Sequence, residues 1–263
     1  MDKIFSLKPP SASTVCRLLN QLDTKEATGL DIIPCKLLKL SSSIVGPSLA
    51  YVFKSCIDAE IFPNEWQIAK VTPLFKKGSN RELGNYRPIS LLPLISKIFQ
   101  KILYRQLYDY LQDNSVLNTY QSGFRSMHSG LTALLETTNN WSINIDDGLL
   151  NGVLFIDLKK AFDTIDHEII LRKFANYGVD QSALRFFASY LRNRSQKCSV
   201  NGALSSASIL GPLLFFKYVN DLPNCLDTSC TKMFADDTNI TVPGCTFAAL
   251  EQATNSLQLA KSK

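Results

Sequence analysis

Histidine is nearly absent from this chain of 263 residues, which has only His128 and His167. That is too few to support chemistry built on a histidine base beside a nucleophile. His167 follows Asp166 and reads as part of a helix start rather than as a catalytic group. The cysteines (Cys16, Cys35, Cys56, Cys198, Cys225, Cys230 and Cys245) are odd in number, and no pair has CxxC spacing. A zinc site is therefore not indicated, and the pattern reads as reduced thiols of an intracellular protein. No run of about 18 apolar residues occurs, and no basic start leads into an apolar stretch, so neither a membrane span nor a secretion signal is expected. Internal repeats and low-complexity linkers are also missing. Charge of one sign is only slightly in excess: 28 Lys+Arg against 23 Asp+Glu give +5. That balance permits a polyanionic partner without demanding one.

With 45% hydrophobic residues, the chain can bury a substantial core. Val15, Leu18, Leu19 and Leu22 recur at helical spacing and predict an amphipathic helix that ends before Thr28-Gly29. Further helices are predicted over 34–40 and from Pro47 through Ile57. Ile68 to Phe75 reads as a strand entering the tight basic turn Lys76-Lys77-Gly78. Ile95, Ile98, Phe99, Ile102 and Gln106 mark one face of a long helix, and Lys97, Lys101 and Arg105 fall elsewhere on it. Leu131, Leu134, Leu135, Thr138 and Trp141 mark another. The apolar run Val153 to Ile156 then predicts a buried strand that ends on Asp157. Helices over 167–177 and 182–192 and a strand near 198–200 follow. A single α+β unit with two lobes is the simplest architecture.

Two segments set acids against apolar neighbours: Phe155-Ile156-Asp157-Leu158 and Met233-Phe234-Ala235-Asp236-Asp237. A carboxylate so flanked is costly to bury unless paired or metal-bound. Asp236 and Asp237 lie between an apolar stretch and the β-prone Ile240-Thr241-Val242, as in a hairpin with acids at its turn. An Asp pair alone is usually just a turn. A second acid at the end of another strand alters that, because two divalent ions about 3.5 to 4 Å apart need carboxylates drawn from separate segments. Hard oxygen donors suit Mg²⁺ or Mn²⁺.

FIDLKKAFDTIDH (155–167) and FADDT (234–238) resemble the first and third palm motifs of reverse transcriptases from non-LTR (LINE-like) retrotransposons. The resemblance extends, in order, to GLD (29–31), PNEWQIAKVTPLFKKG (63–78), NYRPISLLPLISKIFQKIL (85–103), QSGFR (121–125) and SILGPLLFFKYVNDLP (208–223). It implies the fingers and palm of a right-hand polymerase, with an antiparallel palm sheet backed by helices. Residues 1–57 would be a helical lead-in and 58–263 the reverse transcriptase domain. It also implies RNA-directed DNA polymerase activity with two Mg²⁺ or Mn²⁺ ions, an RNA template, a DNA primer and deoxynucleoside triphosphates, in the nucleus or cytoplasm. Asp157 and Asp236 match ligands of both metals, Asp237 the neighbouring acid, and the Leu158 carbonyl a backbone ligand. Phe162 matches the aromatic that blocks a ribose 2′-hydroxyl. Lys76, Lys77 and Arg87 match triphosphate contacts in the fingers. Arg125 matches a finger motif, with a role in either template contact or fold support. Arg185, Arg192, Arg194 and Lys197 form a basic cluster that reads either as a phosphate track or as a solvated helix face.

The sequence also departs from that family. Before SILGP the family has a strand, a turn and GVPQG, whereas NGALSSA (201–207) here runs straight into Ser208, roughly ten residues short. The expectation is impaired nucleotide binding. The sequence stops at Lys263, so the family's later palm motif, primer grip and thumb have no counterpart in it, and no endonuclease domain is expected before the polymerase region. Two other readings stay open: a catalytically inactive remnant with residual RNA affinity, and an RNA-dependent RNA polymerase.

Overall fold

A computed structural model describes the chain except residues 1–3, 83–84, 124, 126, 158–165, 201–202, 208–229, 236 and 261–263. The helices are α1 (Ala12–Asn20), α2 (Cys35–Leu40), α3 (Ser42–Asp58), α4 (Leu94–Asp113), α5 (Gly130–Asp146), α6 (His167–Asn176), α7 (Gln181–Leu191) and α8 (Phe247–Ala260). The strands are β1 (Ile68–Phe75), β2 (Tyr86–Leu91), β3 (Leu150–Asp157), β4 (Ser195–Val200), β5 (Ala203–Ala207), β6 (Cys230–Phe234) and β7 (Asp237–Gly244). Two compact units result, one of residues 1–114 with 166–210, the other of 115–165 with 211–263.

The first unit holds the helical lead-in together with a four-stranded mixed sheet, in the order β2-β1-β4-β5. Ser11 caps α1 by accepting from the Thr14 N–H at 3.2 Å, and Val15, Leu18 and Leu19 are buried as their spacing predicts. α1 packs on α3 at Gly46, where an added Cβ would lie 2.3 Å from Cys16 Sγ. α3 begins at Ser42, not after Pro47, and runs through that proline. At the sixth helical position Pro47 lacks the N–H that would bond to the Ser43 carbonyl, so the helix runs through it with one backbone bond missing. The core is aromatic: Phe53 and Phe99 stack with centroids 4.5 Å apart, and Phe62, Trp66 and Phe186 pack around them. Gln106 of α4 closes a strap instead of joining the core: its amide donates to the Lys8 carbonyl at 2.9 Å and accepts the Lys8 N–H at 2.8 Å.

NGALSSA does not run on as a bare loop, because Ala203–Ala207 forms β5 and pairs antiparallel with β4. Cys16, Cys35, Cys56, Cys198 and Cys245 are free thiols, and burial pushes Cys35 and Cys56 up. No helix among the described residues is long and apolar enough to cross a membrane.

The second unit is a three-stranded antiparallel sheet, β3-β7-β6, with α5 and α8 packed on it. Ile240, Val242 and Leu250 of α8 form its core, joined by Leu154, Ile156 and Ala253. A capping box of Ser129 and Thr132 starts α5. Trp141 Nε1 ties this helix to the sheet by donating to Thr241 Oγ1 at 2.8 Å. Leu131, Leu134 and Leu135 nevertheless remain largely exposed. β3 is likewise only half-buried, with Phe155 71% exposed. As an edge strand of an antiparallel sheet, β3 has a neighbour on one side only, so its apolar run is not enclosed as a buried strand would be.

Candidate functional site

The hairpin predicted around the second acidic segment is present, and it carries Asp237. β6 and β7 pair antiparallel, with Phe234 opposite Asp237, so Asp237 is the first residue of the central strand. On the other side of that strand, the Asp157 backbone at the end of β3 is registered directly against Asp237. Two acidic positions distant in sequence are thus neighbours at one end of one sheet. Asp237 is exposed, so the burial penalty expected of an acid in apolar sequence does not arise there. Leu158, Phe162 and Asp236 lie outside the described residues, as does the segment from Ser208 to Pro223.

The connection from β6 to β7 passes through Ala235 in the left-handed region, with φ +58°. A non-glycine residue rarely stays there without support. The support is the QSGFR segment, which runs along the edge of β6. Ser122 N–H donates to the Met233 carbonyl at 2.8 Å, and Met233 N–H donates to the Tyr120 carbonyl at 2.8 Å. Gln121, 1% exposed, turns its amide onto the connection: Oε1 accepts the Ala235 N–H at 3.1 Å, and Nε2 donates to the Ala235 carbonyl at 3.3 Å. The same Oε1 accepts the Gly123 N–H at 2.8 Å. Arg125 donates to the carbonyls of Asn118 at 3.0 Å and Gln121 at 3.4 Å, which makes it a brace of this loop. The motif itself is recognisable in the sequence, but nothing there announces Gln121 or Gly123 as partners of a turn more than a hundred residues away.

Beside this sheet end lies a cleft of about 360 Å³ between the start of α5 and the strands, lined by Gly130, Leu134, Phe155, Phe234 and Asp237 among others. Lys232 pairs with Glu136, and its ammonium lies 5.4 Å from the Tyr120 ring centroid. Among the described residues no group of three His, Cys, Asp or Glu side chains gathers to hold a metal. Aspartate is chemically the hard oxygen donor that Mg²⁺ or Mn²⁺ takes, so residues of this type at positions 157 and 237, set on adjacent strands, fit such an ion in kind.

The predicted triphosphate contacts belong to the first unit. Lys76 and Lys77 follow β1 and Arg87 lies in β2, opposite Leu74, so one hairpin carries all three, each exposed. Lys76 N–H donates to the Asn85 carbonyl at 2.8 Å, and Gly78 adopts φ +91°, as the tight turn requires. The cluster of Arg185, Arg192, Arg194 and Lys197 is partly committed elsewhere. Arg185 pairs with Glu60, whose carboxyl is held below its usual range by that hydrogen bond, and the Arg194 guanidinium lies 4.5 Å from the Tyr190 ring centroid.

The family described as "Reverse transcriptase (RNA-dependent DNA polymerase)" matches residues 75–260. The chain is 29% identical over 230 residues to the "RNA-directed DNA polymerase from mobile element jockey" of Drosophila melanogaster, covering 82% of this chain and 25% of that protein. It is 28% identical over 227 residues to the "Probable RNA-directed DNA polymerase from transposon BS" of the same fly, with 82% and 25% covered. It is 26% identical over 249 residues to the fly's "Probable RNA-directed DNA polymerase from transposon X-element", with 89% and 27% covered. The chain spans about a quarter of the length of these relatives.

Proposed function

The chain belongs to the reverse transcriptase (RNA-dependent DNA polymerase) family, and from that premise we propose that it forms fingers and palm of a non-LTR retrotransposon's RNA-directed DNA polymerase. The first unit, with its lead-in of residues 1–57, corresponds to fingers and the three-stranded sheet to palm. The substrates are an RNA template, a DNA primer and deoxynucleoside triphosphates, within the nucleus or cytoplasm. Asp157 and Asp236 are the ligands of two divalent ions, Asp237 supports them, and the Leu158 carbonyl completes the set. When bound, Mg²⁺ or Mn²⁺ would activate the primer 3′-hydroxyl and stabilise the departing diphosphate. Lys76, Lys77 and Arg87 hold the triphosphate, and Phe162 excludes a ribose 2′-hydroxyl.

The observation that carries this reading is the pairing of Asp157 with Asp237 across the strands of one sheet. The missing GVPQG segment favours weak nucleotide binding, and at its limit a remnant that binds RNA without extending a primer. The chain as written is therefore expected to extend a primed RNA template by few nucleotides. Restoring the strand, turn and GVPQG of a related element is expected to raise extension. In that restored protein Asp157→Asn or Asp236→Asn should lower it by more than about a hundredfold. Extension that persists in both aspartate variants would overturn the assignment. An RNA-dependent RNA polymerase would instead prefer ribonucleotides in the same assay. Phe162→Val should raise the ribonucleotide share of kcat/KM if the ring excludes the hydroxyl.

A further inference from the structure

We infer that Gln121 is a positioning residue for the metal-binding acids: its buried amide clamps Ala235, the residue that leads in sequence into Asp236 and Asp237. The inference rests on the metal-site reading above and adds a residue that touches neither metal nor substrate.

The argument begins with Ala235. An alanine at φ +58° pays a conformational penalty that glycine would not, so the left-handed turn holds only where its surroundings determine it. Gln121 supplies that determination by engaging both backbone groups of Ala235 with one planar amide. The amide is itself fixed, since Oε1 also accepts from Gly123, and at 1% exposure water does not compete for these bonds. Gly123 lets the two backbones approach: an added Cβ would lie 2.2 Å from the Ala235 nitrogen. The sequence distance matters as well. The β6–β7 pairing fixes the strands, but the side chains just past the connection point according to its dihedral angles. The clamp therefore acts as the outer shell of a metal site does, orienting ligands that it does not join.

The test uses Mn²⁺ as the probe, its uptake by the full chain counted from the electron paramagnetic resonance of free ion. Gln121→Met keeps the side-chain volume and loses all three hydrogen bonds. It should weaken Mn²⁺ binding by roughly tenfold to a hundredfold. Ala235→Gly alone should bind like the unsubstituted chain, because the clamp remains. Added to Gln121→Met, it should recover part of the loss, because glycine enters the left-handed region freely. Recovery of this kind is not expected if Gln121 only fills space. Uptake that falls in Asp157→Asn and Asp236→Asn but not in Gln121→Met would overturn the inference alone. Uptake that is absent, or unchanged in the aspartate variants, would overturn the metal-site reading and the inference with it. Amide exchange in the unsubstituted chain gives a second measurement that needs no variant. The Ala235 N–H should exchange at least about tenfold more slowly than an unstructured amide, and unprotected exchange would also overturn the clamp.

Discussion

At the scale of single residues, His167 shows how a group outside the proposed site can still set a pH response. Burial holds its imidazole below the usual histidine range, with Arg194 pushing the same way and Asp166 and Glu168 pulling back. Its Nε2 is buried with no hydrogen-bond partner among the described residues. The helix cap beside it is Asp166, whose carboxylate accepts from the N–H groups of Glu168 and Ile169. The folded state thus keeps the ring neutral where the unfolded chain, titrating at about 6.5, takes up a proton. The stability this group contributes is complete above that value and is lost as pH falls through the lower folded value. Thermal midpoints should therefore decline from pH 7 to pH 5, and His167→Leu should flatten that decline. An equally steep decline in the variant would place the response elsewhere.

At the scale of elements, the aromatic cluster of the first unit carries the largest single penalty. Phe99 is fully buried and meets Phe53, Phe62, Trp66 and Phe186, so Phe99→Ala should destabilise by roughly 3 to 5 kcal/mol in denaturant unfolding. A loss below about 1 kcal/mol would mean that the cluster closes over the gap. Phe99 was legible beforehand because helical spacing reports a buried face directly. β1 was legible too, with its apolar residues and the glycine turn after it. β2 was not, since Pro88 argues against a strand. The structure answers that objection by leaving β2 at the sheet edge, where a residue without an N–H is tolerated, with Pro88 opposite Pro73 of β1. β5 escaped notice because Ala-Leu-Ser-Ser-Ala lacks β-branched residues and forms through pairing with β4. Of the candidate site, the strands that carry Asp157 and Asp237 could be read from sequence. The Gln121 clamp could not, because a glutamine bound to a distant backbone leaves no periodicity.

At the scale of the whole molecule, a net charge of +5 on 263 residues is too small for strong nonspecific affinity, so how the cations are arranged matters more than their number. Arg185 is paired with Glu60, and Lys232 with Glu136, which leaves their charge largely compensated. Lys76, Lys77 and Arg87 project from one hairpin, exposed. If that hairpin meets the phosphates of a nucleic acid or a triphosphate, binding to single-stranded RNA should be weak and should fall with salt by counterion release. Each phosphate contact contributes about 0.7 to the slope of log K against log salt for a single strand. Replacing all three residues with glutamine should therefore lower the slope by up to about 2. Replacing Arg185 with glutamine should leave it nearly unchanged, because that guanidinium is already committed to Glu60. Filter-binding titrations between about 50 and 200 mM salt would measure both. A slope that drops for Arg185→Gln and not for the hairpin variant would move the phosphate contacts off the β1–β2 hairpin and onto the α7 surface.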